Sequence, residues 1–163
     1  MRQLLTTLLI TVLFTAAGSG QGHDYSSGHG YVYFAPSVSS PGSVTFAHVG
    51  GGGEGFFNRY IGAGAELGYL TPIRSWSDGV GTLSPNVVAR LRAKDSANKV
   101  EPFITGGYTL FFRSGAASGF NFGGGVNYWM KNHIGLRFEV RDNVWTSYAT
   151  IHYVGIRVSM LFR

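Results

Sequence analysis

Four glutamates and five arginines carry most of the chemistry open to this sequence: Glu54, Glu66, Glu101 and Glu139, with Arg90, Arg92, Arg137, Arg141 and Arg157. The run Arg137-x-Glu139-x-Arg141 spaces three of them two residues apart. In an extended chain that spacing puts all three on one face. A carboxylate withdrawn from water is costly unless paired, and the planar fork of arginine suits it. Such a set serves either as an ion-pair plug that fills and specifies an interior, or as a gate or proton-transfer site. The plug is the preferred reading, because charges in a confined interior must find partners in any case.

The elements that position these side chains follow from a period of two. Ile134, Leu136, Phe138 and Val140 alternate with Gly135, Arg137, Glu139 and Arg141. Val154, Ile156, Val158, Met160 and Phe162 alternate with Gly155, Arg157, Ser159 and Leu161. Strict alternation marks a strand between two environments. The same pattern predicts eight strands, near residues 30–36, 44–57, 61–70, 81–93, 100–112, 119–130, 134–142 and 151–162. The first has no fixed phase, and the glycine-rich second places Glu54 in its polar phase. Connections at 58–60, 94–99 and 131–133 are short and polar, whereas 36–43, 71–80, 113–118 and 143–150 are longer or richer in Gly, Ser and aromatics. This describes an up-and-down meander with both termini at the short-turn rim. Folding the chain about its turns sets Arg92 opposite Glu101, Glu139 near Arg157, and Glu66 near Arg90. Glu54 falls opposite Glu66, a pair that needs an arginine between its members or one raised pKa.

Composition decides which face is inside. Only 13% of the 163 residues are charged, against about a quarter in a soluble domain. The polar face is mostly glycine, and lysine occurs only at Lys94, Lys99 and Lys131, all in turns. The apolar face is bulky and ends in aromatics such as Tyr69, Phe112, Phe120, Tyr128 and Phe162. A soluble lipocalin-like barrel, apolar inside, would carry a strongly charged outer face. The expected fold is therefore all-β: an eight-stranded antiparallel up-and-down transmembrane β-barrel, its small polar residues lining a cramped lumen.

Other chemistry finds little support. The net charge of +5 comes mostly from isolated arginines, without the clustered basic stripe of a nucleic-acid binder. With no cysteine there is no disulfide and no thiolate zinc site. His23, Asp24, His29, His48, His133 and His152 have no metal-ligand spacing. The glycines at 50–53 lack the Lys-Ser/Thr of a phosphate loop and suit a strand in a tight barrel. Neither a cofactor site nor a catalytic site is expected. Arg74, Trp76, Asp78, Arg113, Trp145 and Tyr148 flank strand ends and read as an interface girdle before a recognition rim.

The N-terminus is an address. Met1-Arg2-Gln3 precedes an uncharged run, 4–17, of secretory h-region length, followed by small residues that allow cleavage after Ala17, Gly20 or Gly22. The expected organisation is 1–22 signal peptide and cleavage region, 23–29 flexible lead, and 30–163 barrel.

With these features assembled, the chain resembles the small outer-membrane β-barrel domain family of OmpA/OmpX type. Its last strand is similar to the family's C-terminal assembly signal, with Tyr153, Gly155, Val158, Met160 and Phe162 at the matching positions. Family members usually end on the aromatic residue, whereas Arg163 follows Phe162 here. The resemblance implies a monomeric protein of a Gram-negative outer membrane, in contact with lipid and lipopolysaccharide and recognised by the barrel-assembly machinery. It implies a structural or surface-interaction role without catalysis. A narrow porin-like channel is the alternative. Some barrels of this size act on lipid A, but Ser147, His152 and Asp142 form no His-x-Ser run, and His152 lies in the apolar phase.

Overall fold

A computed structural model of the chain describes residues 28–40, 44–91, 99–131, 133–145 and 151–163. The export signal expected at 1–22 lies outside them, as do Arg92, Ser147 and Tyr148. Eight strands form: β1 (His29–Ser40), β2 (Thr45–Phe56), β3 (Ile61–Pro72), β4 (Val80–Arg90), β5 (Val100–Phe112), β6 (Ala116–Trp129), β7 (Ile134–Trp145) and β8 (Ile151–Phe162). Each pairs antiparallel with its chain neighbour, and β1 pairs with β8 to close the barrel. The seam runs from Gly30 opposite Phe162 to Ser40 opposite His152. Strands of 11 to 14 residues are long enough to cross a bilayer at the usual tilt.

The alternation sorts side chains as expected for a membrane wall. Leu67, Phe120 and Ile156 are each more than 60% exposed, while Arg137 is fully buried. Outward aromatics sit at both ends of the wall, including Tyr69, Phe112, Phe120, Tyr128 and Phe162. So large an apolar exterior around a charged interior excludes the soluble lipocalin-like arrangement. The fold is a transmembrane barrel with its polar face inside.

Three expectations need correction. His29, assigned to the flexible lead, is the first residue of β1 and is buried in the lumen. Strands β1, β3, β6 and β7 run past their expected ends, because Ser37, Ser39 and Thr71 look like loop residues but are buried. The connections 73–79 and 113–115 are consequently shorter than expected, while 41–43, 92–98 and 146–150 lie outside the described residues. Among the described residues, 113–115 is therefore no longer than 57–60 at the rim of the chain ends, and 73–79 is little longer.

The phase of β1 is fixed by the seam: Tyr31, Tyr33, Ala35, Ser37 and Ser39 are buried, and Val32, Phe34 and Val38 face out. In β8, Tyr153 and Gly155 face inward and Val158, Met160 and Phe162 outward. Tyr153 packs edge-on against Phe46, with ring centroids 5.2 Å apart.

Candidate functional site in the barrel lumen

Eight of the nine charged residues singled out from sequence lie on described strands, and all eight are buried. Their partners lie in stacked layers. In the central layer Glu66, on β3, accepts from three donors. Arg157 Nη1 lies 2.8 Å from both its carboxylate oxygens, Arg141 Nη1 lies 2.9 Å from Oε2, and Tyr31 donates its hydroxyl to Oε1 at 2.7 Å. Arg141 also donates from Nε to Glu139 Oε1 at 2.5 Å. Tyr33 lies under the Arg157 guanidinium, 3.9 Å from ring centroid to Cζ. Charge-assisted bonds of this kind are among the strong ones.

The next layer, toward the chain ends, is a bidentate clamp. Arg137 Nη1 and Nη2 donate to Glu54 Oε1 and Oε2 at 2.6 and 2.9 Å, and Arg137 Nε donates to Asn127 Oδ1 at 2.7 Å. Arg137 Nη2 lies 3.3 Å from His29 Nε2. Its guanidinium stacks over the Phe103 ring at 4.3 Å. Below this, Arg90 and Arg163 each approach Glu101 at 3.8 Å. Toward the opposite rim the lumen turns neutral. His48 Nε2 lies 3.0 Å from both the Tyr33 hydroxyl and Thr82 Oγ1, and Asn121 Nδ2 donates to Thr109 Oγ1 at 2.9 Å.

These contacts redraw the expected pairs. Arg92 lies outside the described residues, and among those described Arg90 and Arg163 approach Glu101. Glu139 does stand opposite Arg157 in register, but the Arg157 fork reaches across to Glu66, and Glu139 bonds Arg141. Glu66 stands opposite Ser84, and Arg90 is absent from its ion pairs. Glu54 stands opposite Gly64 and Glu66 opposite Gly52, so the two carboxylates do not face one another, and each has its own arginine. Tyr31, Tyr33 and Arg163 escaped the sequence reading as lumen residues, and His29 and His48 entered it only as metal-ligand candidates. The available signal was the Tyr31-x-Tyr33 spacing, which supplies hydroxyl donors once β1 is given a phase.

Away from the lumen, His152 Nδ1 and Asp142 Oδ2 lie 2.7 Å apart on the outward faces of β8 and β7. Beside the connection 73–79, Tyr69 donates to the Trp76 carbonyl at 2.7 Å and Arg113 to the Ser77 carbonyl at 2.9 Å. The Ser75 hydroxyl, with Arg113 beyond it, holds the Asp78 carboxyl below its ordinary range. Trp145 stacks on the buried Phe111 with ring centroids 5.4 Å apart, so it packs at the lumen mouth and departs from the expected girdle.

No family model matches the sequence, and no curated protein matches it. Solved structures do. Neisserial surface protein A superposes with a TM-score of 0.64 at 13% identity, over 83% of this chain and 94% of that one. The N-terminal β-barrel domain of Pseudomonas aeruginosa OprF gives 0.60 at 10% identity, over 84% and 99%. A de novo designed transmembrane β-barrel gives 0.54 at 15% identity, over 82% and 94%. The chain thus has the fold of the small OmpA/OmpX-type outer-membrane barrels. That a designed barrel shares it shows that the fold alone assigns no activity.

Proposed function

We propose that the chain is an integral outer-membrane barrel with a structural or surface-interaction role, no catalysis, and a lumen closed by its own ion pairs. The observation that carries this reading is the clamp on Glu66, where two arginines and a tyrosine from β7, β8 and β1 meet across the lumen. A carboxylate held by three donors from three strands ties the walls together across the space a channel would need. The inward glycines support the same reading. A Cβ at Gly52 would come within 2.9 Å of Glu66 Cγ, and one at Gly64 within 2.9 Å of Glu54 Cγ, so the small residues make room for the plug. Outer-membrane lipid and lipopolysaccharide are the partners that the apolar wall suits, and β8 offers its outward Val158, Met160 and Phe162 to the assembly machinery.

The test is conductance. In planar bilayers the refolded chain is expected to show no steady single-channel current. Glu66→Gln, which removes the charge shared by Arg141 and Arg157, is expected to open brief small currents. Steady conductance by the unmodified chain would overturn the closed-lumen reading and favour a narrow porin-like channel.

A further inference from the structure

Among the described residues, charge balances in the upper layers of the lumen but not at the rim of the chain ends. Glu54 is matched by Arg137, and Glu66 and Glu139 by Arg141 and Arg157. At that rim Arg90 and Arg163 share Glu101 at 3.8 Å each, too long for direct hydrogen bonds. Among the described residues, all three guanidinium nitrogens of Arg90 lack a hydrogen-bond partner, although its side chain is only 1% exposed. Nε and Nη2 of Arg163, Nε1 of Trp129 and Nδ1 of His29 are also buried without partners.

These groups occupy one layer. The Phe56 ring lies 3.3 Å from Arg90 Cζ and the Trp129 ring 3.8 Å from Arg163 Cζ. The His29 ring lies 5.5 Å from Trp129 and 6.0 Å from Phe56. The aromatic faces cover the guanidinium planes and leave the N–H edges to bond something else. His29 Nε2 lies 3.3 Å from Arg137 Nη2 and 3.4 Å from Glu54 Oε2; in the tautomer that accepts from the arginine, which can only donate, the ring proton sits on Nδ1. In that tautomer every unpartnered atom of this group is a donor, apart from Glu101 Oε2. Lys99 and Lys131 are exposed at the same rim.

Buried donors left unbonded are costly, and arginine forks beside ring N–H groups match the lone pairs of an oxyanion. We propose that this layer binds a small free oxyanion of the inorganic phosphate class, held by Arg90 and Arg163 with Trp129 Nε1 and His29 Nδ1 as further donors. Glu101 is the resident competitor, spacing the two guanidiniums when the site is empty and opposing the anion when it is full. The proposal goes beyond the closed-lumen reading and does not depend on it.

The experiment titrates inorganic phosphate into the full chain refolded in detergent micelles, at fixed ionic strength, and follows the unfolding temperature by tryptophan fluorescence. A ligand bound only by the folded state raises that temperature saturably. Arg90→Met is expected to weaken the phosphate midpoint at least about tenfold, and Glu101→Gln to tighten it by about tenfold, through the removal of one attracting and one repelling charge. Arg113→Met, at the opposite rim, is expected to titrate like the parent. Should Arg90→Met fail to refold, Trp129→Phe, which keeps a ring and removes one donor, decides by weakening the midpoint. No saturable response to phosphate, or Glu101→Gln and Trp129→Phe both titrating like the parent, would overturn the site.

Discussion

Arg157 places one guanidinium nitrogen 2.8 Å from each carboxylate oxygen of Glu66, across the lumen and 91 positions away in sequence. The two residues sit on strands that are not neighbours in the sheet. Their bond therefore joins walls of the barrel, in contrast to the pairs made along a hairpin.

Removing Glu66 strands the buried Arg157 and leaves Arg141 with Glu139 alone. Glu66→Ala is expected to cost about 3–5 kcal/mol in urea unfolding from lipid vesicles. Arg157→Ala is expected to cost less, since Arg141 and Tyr31 still serve the carboxylate. In the double variant the losses should fall short of their sum; full additivity would show that the pair contributes no coupling.

Tyr31→Phe isolates one donor while keeping the ring. It deletes the 2.7 Å bond to Glu66 and is expected to cost roughly 1.5–3 kcal/mol in the same unfolding assay. A change within error would mean that the two arginines satisfy Glu66 alone.

Much of this arrangement is legible in the sequence, and the boundary has a physical cause. The two-residue period sorted β3 to β8 correctly, because each strand contrasts bulky apolar with small or charged positions, as Phe138 and Val140 do with Glu139 and Arg141. Pairings across a turn could be counted, and Glu139 does stand opposite Arg157. What counting cannot give is reach through the lumen. Strand tilt and barrel diameter decide that the Arg157 fork finds Glu66 before the neighbour beside it. The first strand was illegible for a different reason: Tyr31 and Tyr33 are amphipathic, and only their hydroxyl partners Glu66 and His48 identify them as inward.

Charge placed on the two faces is expected to have opposite consequences. Phe138→Arg puts a cation into the apolar wall and is expected to cost about 2–4 kcal/mol if it lies near the bilayer midplane. The readout is loss of the unboiled, fast-migrating band on a gel of vesicle-refolded protein. Asn127→Ser, a milder change at a lumen position, breaks the 2.7 Å bond from Arg137 but leaves Glu54 to hold it, so folding should survive at reduced stability. Normal insertion of Phe138→Arg alongside failure of Asn127→Ser would mean the faces are inverted.

Two neighbouring glycines separate space from flexibility. A Cβ at Gly52 would lie 2.6 Å from the Ala65 carbonyl oxygen and 2.9 Å from Glu66 Cγ, and Gly52→Ala is expected to lose about 1–3 kcal/mol. At Gly53 the nearest atom is the His29 carbonyl oxygen at 3.6 Å, so Gly53→Ala should be neutral or gain about 0.4–1 kcal/mol. Equal losses at both positions in urea unfolding would deny the crowding on the lumen side.

The long reach of the lumen pairs also sets an order on how the molecule comes into being. Glu54 and Glu66 are made early, and their arginines arrive 75 to 91 residues later, on the last two strands. A chain stopped before β7 would carry these two carboxylates without the arginines that bond them, inside a solvent that penalises bare charge heavily. Entry into lipid one hairpin at a time is thereby discouraged, and arrival as a finished ring is favoured. The interior is thus complete only once the last two strands have brought their arginines to it.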